Sequence, residues 1–219
     1  FGAMYAPNDT TTLMLMLPYV ELEMDHINRM GRKFTTSSSG VGDIKLSGLV
    51  NVYKGKKGKA HLNLGLSIPS GDVDRRDATP INSNAKLPYP MQLGSGTLDL
   101  IPGATYNEYY DNYSWGAQAL GTFRTNTNGE GYQLGDKFEG SIWASYLATE
   151  HFSTSLRTKW TSWGNIDGAD SEINPNMVPT ADPDRRGGDR LDLGIGVNYA
   201  CPWHRLAFEF LIPVYQDLD

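Results

Sequence analysis

Two stretches of alternating residues decide the fold of this chain: residues 43–53 read DIKLSGLVNVY, and residues 61–68 read HLNLGLSI. In both, one set of alternate positions is mainly Ile, Leu or Val, and the positions between them are mainly polar. A period of two is typical of a β-strand whose two faces meet different surroundings. The same alternation returns over residues 138–146, 152–160, 190–199 and 205–210.

The remaining strands and their connections predict a meander. Further strands are expected near residues 1–5, 10–24, 94–106 and 114–124, which makes about ten strands and no helix. The links alternate between short ones (6–9, 54–59, 107–113, 148–150 and 200–203) and long ones (27–40, 69–93, 125–135 and 165–187). An up-and-down order then places every long loop at one end, as in outer-membrane barrels and unlike Greek-key sandwiches.

The two faces of the predicted strands differ in chemistry. Aromatic residues occur at strand ends, as expected for the girdles of a lipid-facing band: Tyr19, Tyr106, Trp115, Phe123, Tyr146, Trp160 and Tyr199. The opposite face carries many charges, Asp43 among them, and unpaired ions in a dry core would cost several kcal/mol each. We therefore predict an all-β, antiparallel up-and-down transmembrane β-barrel with its polar face inside. A lipocalin-like soluble barrel, with the polar face outside, is the alternative.

Composition excludes several other classes. The 219 residues have a net charge of -6, which argues against a nucleic-acid partner. The single cysteine, Cys201, excludes a disulfide framework and a four-cysteine zinc site. The sequence contains no run of 18 apolar residues and therefore no predicted transmembrane helix. Because Phe1 is not an initiator Met, we expect a processed or partial product.

Several motifs resemble a bacterial family of outer-membrane barrels labelled "transporter" or "MetA-pathway of phenol degradation" proteins. They are GAMYAP at 2–7, MDH at 24–26, RMG at 29–31, LPYPMQLGSGT at 87–97, DPDRRGG at 182–188 and PVYQDL at 213–218. The resemblance spans nearly the whole chain and implies a bacterial outer-membrane location with lipid and lipopolysaccharide around the barrel. Family members usually continue into a closing strand, so we expect a complete barrel of about 12 strands, of which ten are visible here.

Parity along the strands assigns eleven residues to the lumen, where they would set selectivity: Lys45, His61, Asp99, Arg124, Glu139, Arg157, Lys159, Arg190, Asp192, Arg205 and Glu209. A small barrel whose opposed charges pair inside it leaves a narrow path or none. We predict a channel or transporter for a small solute. A structural barrel that docks to an envelope protein partner is the first alternative.

Two metal hypotheses also follow from the sequence, although the prediction is that no cofactor is bound. Thioethers and imidazole suit Cu(I), and the candidates for a copper-handling barrel are Met14, Met16, Met24, His26 and Met30. Met is also a flexible packing residue, which explains the same residues without a metal. The acidic loop at 165–189 offers oxygen ligands for calcium, but it lacks EF-hand spacing, and a solvated loop ordered by Arg185, Arg186 and Arg190 is the favoured interpretation.

Catalysis is not predicted. The chain has no Gly-x-Ser-x-Gly elbow, Walker loop or His-Glu-x-x-His motif. Of the four histidines, His61 is expected to be a hydrogen-bonding lumen residue rather than a general base.

Overall fold

A computed structural model describes residues 1–28, 30–176 and 178–219. Within them the chain is almost entirely β-structure, with only three short 3₁₀ turns, at Tyr89–Met91, Pro179–Ala181 and Pro183–Arg185. No helical segment in the described ranges has the length and apolar character needed to cross a membrane. The strands are β1 Gly2–Asn8, β2 Thr11–Met16, β3 Tyr19–Ile27, β4 Lys33–Val41, β5 Ile44–Lys54, β6 Gly58–Ile68, β7 Arg76–Asp77, β8 Ala85–Lys86, β9 Asp99–Tyr109, β10 Tyr113–Arg124, β11 Tyr132–Gln133, β12 Lys137–Leu147, β13 Phe152–Trp163, β14 Asp167–Gly168, β15 Gly188–Ala200 and β16 Arg205–Leu218.

Ten of these strands form one antiparallel sheet. Its order is β1-β2-β5-β6-β9-β10-β12-β13-β15-β16, so each strand pairs with its neighbours in the meander. The strands from β5 onward in this sheet have 11 to 14 residues. A tilted strand needs roughly 9–11 residues to cross a bilayer, so these strands are long enough. The all-β, antiparallel, up-and-down prediction with about ten visible strands is confirmed.

The alternation of connections is also confirmed. Short turns span residues 9–10, 55–57, 110–112, 148–151 and 201–204, and long connections span residues 17–43, 69–98, 125–136 and 164–187. Because neighbouring strands are antiparallel, all the long connections lie at one end of the sheet and all the short turns lie at the other.

The sheet is open, whereas the prediction was a closed ring. In the described ranges, β1 pairs only with β2 and β16 pairs only with β15, so both are edge strands. Residues of β1 are exposed throughout, as are nearly all residues of β16. An edge strand carries a row of unpaired backbone groups, which a bilayer does not tolerate without a partner. The expectation of about 12 strands in the complete barrel stays a prediction.

The single strand predicted at residues 10–24 is wrong. β2 ends at Met16, just before Pro18, because proline fixes φ and cannot donate a ladder hydrogen bond. The chain then forms a separate hairpin in which β3 pairs with β4, so much of the predicted loop at 27–40 is strand. The run TTSSS at 35–39 concealed this strand, because its buried side, Thr36 and Ser38, is polar.

Three of the four long connections form a second packed body, here called the loop cap: residues 69–98, 125–136, 164–176 and 178–187. It contains the short pairs β7–β8 and β11–β14. Its centre is a hydrophobic cluster of Tyr89, Tyr132, Ile166, Ile173 and Ala181. The rings of Tyr89 and Tyr132 meet edge to face with centroids 4.9 Å apart. Three connections that are far apart in sequence therefore share one core.

Candidate polar pathway and charge cluster

The pairing register sorts the side chains of the ten-stranded sheet onto two faces. One row across seven strands consists of Asn51, His61, Thr105, Gln118, Ser141, Lys159 and Asp192. The adjacent row on the other face consists of Leu62, Ala104, Ala119, Gly140, Trp160 and Leu191. The sheet therefore has a polar face and an apolar face, as the alternation predicted.

The apolar face is exposed. Leu64, Leu156 and Ile195 are 64–67% exposed, and other aliphatic and aromatic side chains follow along β15 and β16. Phe123 and Phe138 pack edge to face at the end near the loop cap, and Tyr106 packs on Trp115 toward the turns. Exposing such a surface to water is unfavourable, whereas the hydrocarbon core of a bilayer suits it, with the aromatic girdles at its two edges. Of the predicted girdle residues, Tyr19 is misplaced, because it begins the separate hairpin at β3.

All eleven predicted lumen residues lie on the polar face. Asp99 and Asp192 are buried, at 1% and 3% exposure. Their role in selectivity stays a prediction.

The carboxylates on the polar face are paired with cations. Glu139 lies 2.6 Å from Lys159 and 3.1 Å from Lys137. The Nε of Arg157 donates to Glu209 at 2.7 Å, and its guanidinium lies 5.0 Å from the centre of the Trp143 ring.

Two further ion pairs lie at the end of the sheet near the loop cap. Arg124 pairs with Asp99, and Arg190 lies 3.1 Å from Asp192. Lys45 has no carboxylate within ion-pair distance among the described residues, and Arg205 bonds to the amide of Asn198 instead. Four carboxylates and six cations of the predicted set therefore leave an excess of positive charge.

Asp43, which the sequence places with the charges of the polar face, instead binds the loop cap. Its carboxylate accepts hydrogen bonds from the backbone N–H of Gly71 at 2.9 Å and of Ser95 at 2.7 Å. Thr97 also donates to Asp99 at 2.6 Å. Two carboxylates at the strand ends thus fix the first long connection of the cap.

The loop cap contains a charge cluster that the sequence analysis missed. The ammonium of Lys86, whose side chain is 1% exposed, lies 2.6 Å from Asp170, 2.5 Å from Glu130 and 3.3 Å from Asp74. Arg76 extends the cluster by contacting Asp74 at 2.9 Å and Glu172 at 2.7 Å. All three connections of the cap contribute, and a lone lysine between prolines offered no sequence signal for this.

The pKa directions agree with a cluster held by charge. Burial disfavours the charged form of Lys86, but hydrogen bonds to Asp170 and Glu130 outweigh it and raise the pKa of Lys86 above its ordinary value. Hydrogen bonds from Arg76 lower the pKa values of Asp74 and Glu172. Burial in the neighbouring core raises the pKa of Tyr132 to about 12.

These contacts bear on the calcium hypothesis. Asp74, Glu130 and Glu172 place oxygens within 4.8 Å of one another, but Lys86 and Arg76 already supply the positive charge there. The solvated-loop interpretation is wrong for Asp170, which is buried against Lys86. In the acidic loop itself, Arg185 lies 3.4 Å from Asp182. Calcium binding stays an untested hypothesis.

The copper candidates are divided between two sheets. Met14 and Met16 share the polar face of β2, with Met4 directly opposite Met14. Met24 and His26 share the inward side of the β3–β4 hairpin, while Met30 at its turn is 78% exposed. His26 stacks on Phe34, and its Nε2 lies 2.9 Å from the Thr36 hydroxyl. A copper site stays an untested hypothesis, and metal analysis of a Met14→Leu/Met16→Leu variant would test it.

A cleft of about 590 Å³ lies on the apolar face. Ala104, Ala119 and Gly140 are among its lining residues, with Leu62 and Trp160 beside them. Small side chains between large ones explain this depression, and hydrocarbon suffices to fill it. It lies away from the charges described above.

Comparisons with known proteins agree with this architecture. The chain is similar to a solved structure of an outer membrane channel from Pseudomonas putida F1, with a TM-score of 0.68 and 13% sequence identity, over 99% of this chain and 75% of that chain. The fold is therefore that of a bacterial outer-membrane β-barrel. Together with the exposed apolar face, it confirms the predicted outer-membrane location.

The family is equally well defined. The family model described as "Putative MetA-pathway of phenol degradation" matches residues 5–203, and the chain belongs to this family. The resemblance found in the sequence motifs is thereby confirmed. No curated protein matches the sequence.

Proposed function

We propose that this protein is an outer-membrane channel that passes small solutes along the polar face of its sheet. The observation that carries the proposal is the division of the sheet: charged side chains share one face, and the exposed apolar band occupies the other. Lipid covers the apolar band, so a polar solute has only the charged face to follow. The similar solved structure is described as an outer membrane channel, which supports this proposal.

The charges along the path favour anions. The paired carboxylates of Asp99, Glu139, Asp192 and Glu209 are each neutralised by a basic side chain. The remaining positive charge, including that of Lys45, is not matched by a carboxylate of the predicted set. A lining with an excess of one sign selects ions of the opposite sign.

The packed loop cap supports the alternative that was left open, a structural or partner-docking barrel. Its hydrophobic cluster and its buried ion pairs hold three connections together at one end of the sheet. Such a packed body restricts any solute path at that end of the sheet to a narrow one. Conductance therefore separates the two functions.

The test is reconstitution of the full chain in planar bilayers. The channel proposal predicts discrete conductance steps with a preference for chloride over potassium, and it predicts that Lys45→Glu reduces this preference. Lys45 makes no ion pair in the described chain, so the reversal breaks none, and Lys56→Glu at a turn is the matched control. A complete absence of conductance and of solute flux into liposomes would contradict the proposal and leave the docking barrel.

A further inference from the structure

A second cleft, of about 230 Å³, lies where the loop cap meets the sheet. Its walls come from both bodies: Tyr89 and Ile166 belong to the cap, and Arg124 and Trp163 end strands of the sheet. Its volume is below the roughly 300–1,000 Å³ of sites for drug-sized ligands, so it fits a small molecule.

The charges that line this cleft are all positive. Arg124, Lys137 and Arg186 contribute three basic side chains, and no carboxylate is among the lining residues of the described chain. Lys137 is partly neutralised by Glu139 at 3.1 Å and Arg124 by Asp99. The Nε of Arg124 is buried without a hydrogen-bond partner, so part of its donor capacity is unused.

Arg186 is the least neutralised of the three. In the part of the chain that the structure describes, it has no carboxylate within ion-pair distance, whereas its neighbour Arg185 pairs with Asp182. Burial lowers the pKa of Arg186, but a guanidinium remains charged at neutral pH. Its main chain is fixed, because its N–H donates to Asn165 at 2.7 Å and its carbonyl accepts from Trp163 at 2.7 Å. A partly buried cation without a carboxylate partner favours an anion.

The rest of the cleft is apolar and rigid. The hydrogen bond from the Nε1 of Trp163 to the carbonyl of Arg186 holds the indole ring in place. Tyr89 and Ile166 are both members of the hydrophobic cluster of the cap. Flat aromatic walls bind planar apolar groups by stacking. The cleft thus combines a charged part with a flat apolar part.

We propose that this cleft binds a small organic anion, with a carboxylate held by Arg186, Arg124 and Lys137 and a planar apolar body against Trp163 and Tyr89. The guanidinium fork matches a carboxylate with two parallel hydrogen bonds. A role for the cleft as the first binding site on a transport path rests on the proposed channel function. Binding itself does not depend on it.

The experiment is a fluorescence titration of the full chain in detergent with benzoate as the probe. We expect saturable quenching of tryptophan emission that is lost in Trp163→Phe, because Trp163 forms a wall of the cleft. Benzamide, a neutral molecule of the same shape, and acetate, an anion without a ring, should each bind at least tenfold more weakly. Equal binding of benzoate and benzamide, or unchanged quenching in Trp163→Phe, would overturn the proposal.

Two charge variants sharpen the test. Arg186→Gln removes a hydrogen bond to the charged carboxylate, so benzoate should bind about tenfold more weakly. Lys137→Gln should also weaken benzoate binding. Arg185→Gln, which removes an exposed neighbouring charge outside the cleft, should bind as the unmodified protein does. Circular dichroism establishes that each variant is folded. Folded Arg186→Gln and Lys137→Gln with unchanged affinity would refute the site.

The same samples separate this proposal from the channel. Benzoate binding without any conductance would support the cleft while refuting the transport function. Conductance without saturable benzoate binding would do the opposite.

Discussion

In the ten-stranded sheet, Leu64, Leu156 and Ile195 are 64–67% exposed, whereas in the loop cap Leu87 and Tyr132 are at most 2% exposed. Every large hydrophobic residue that is buried in the described ranges belongs to the cap. The sheet instead buries Asp99, Asp192 and Thr161. The two regions of the chain therefore suit different solvents. The cap buries its apolar residues as proteins do in water, and the sheet turns its apolar side to lipid.

This comparison teaches that the two regions depend on different forces. The sheet is held by its backbone ladder and gains from apolar burial only when hydrocarbon surrounds it. The cap depends on a small hydrophobic core and on a buried charge cluster, and it should loosen without unfolding the sheet. The following tests address that separation.

The largest effect is expected from Lys86→Met. The substitution leaves the carboxylate of Asp170, 1% exposed, without its cation, which costs about 3–5 kcal/mol for a buried pair. Amide hydrogen exchange on the full chain should show faster exchange across the loop cap and unchanged protection in β12 and β13. Lys56→Met, at an exposed turn, should change neither. Undiminished protection of the cap would show that the cluster does not hold it.

A charge on the apolar face should act on the sheet instead. Ile142, 62% exposed near the middle of β12, faces the lipid side. Ile142→Arg should cost about 2–4 kcal/mol near the bilayer centre and reduce the yield of folding into liposomes. Ser145→Arg places the same side chain on the polar face of the same strand and is the control. Equal folding yields for the two variants would contradict the assignment of Ile142 to the lipid-facing side.

The smallest and most graded effect is the response of the cap to acid. Hydrogen bonds from Arg76 lower the pKa values of Asp74 and Glu172, and the backbone N–H of Ser37 lowers that of Asp77. Carboxylates with lowered pKa values stabilise the fold above about pH 4, and this contribution is lost as the pH falls through the lowered values. Exchange in the cap should therefore accelerate below about pH 4 while the sheet keeps its protection.

Asp77→Asn offers a control for the acid response. Asp77 accepts a hydrogen bond from the Ser37 N–H at 2.8 Å and so ties the β3–β4 hairpin to the cap. The amide keeps an acceptor but cannot titrate, so the hairpin should lose part of its acid sensitivity. An identical acid profile in this variant would exclude Asp77 as a contributor.

Much of the sheet could be predicted, and the reason is local. Alternation at 61–68 or 152–160 places each side chain on a face because the side-chain period of a strand is two. The eleven proposed lumen residues therefore fall on one face as expected. Pro18 and the polar run at 35–39 hid the β3–β4 hairpin, because its buried side carries Thr36 and Ser38 rather than aliphatic residues.

The cap could not be predicted in the same way. Lys86, Glu130 and Asp170 are separated by 40 or more residues, and no periodic pattern connects them. Arg186 was expected to order an acidic loop, but only the position of Trp163 and of the strand ends shows that it faces a cleft.

The sequence by itself determined the antiparallel meander, the sorting of long and short connections and the two faces of the sheet, since each depends on neighbours along the chain. Tertiary structure alone decided the open edges, the core of the loop cap, the Lys86 cluster and the basic cleft beside Trp163. These features arise from contacts between connections far apart in sequence, where packing and charge pairing are settled only when the chain is folded.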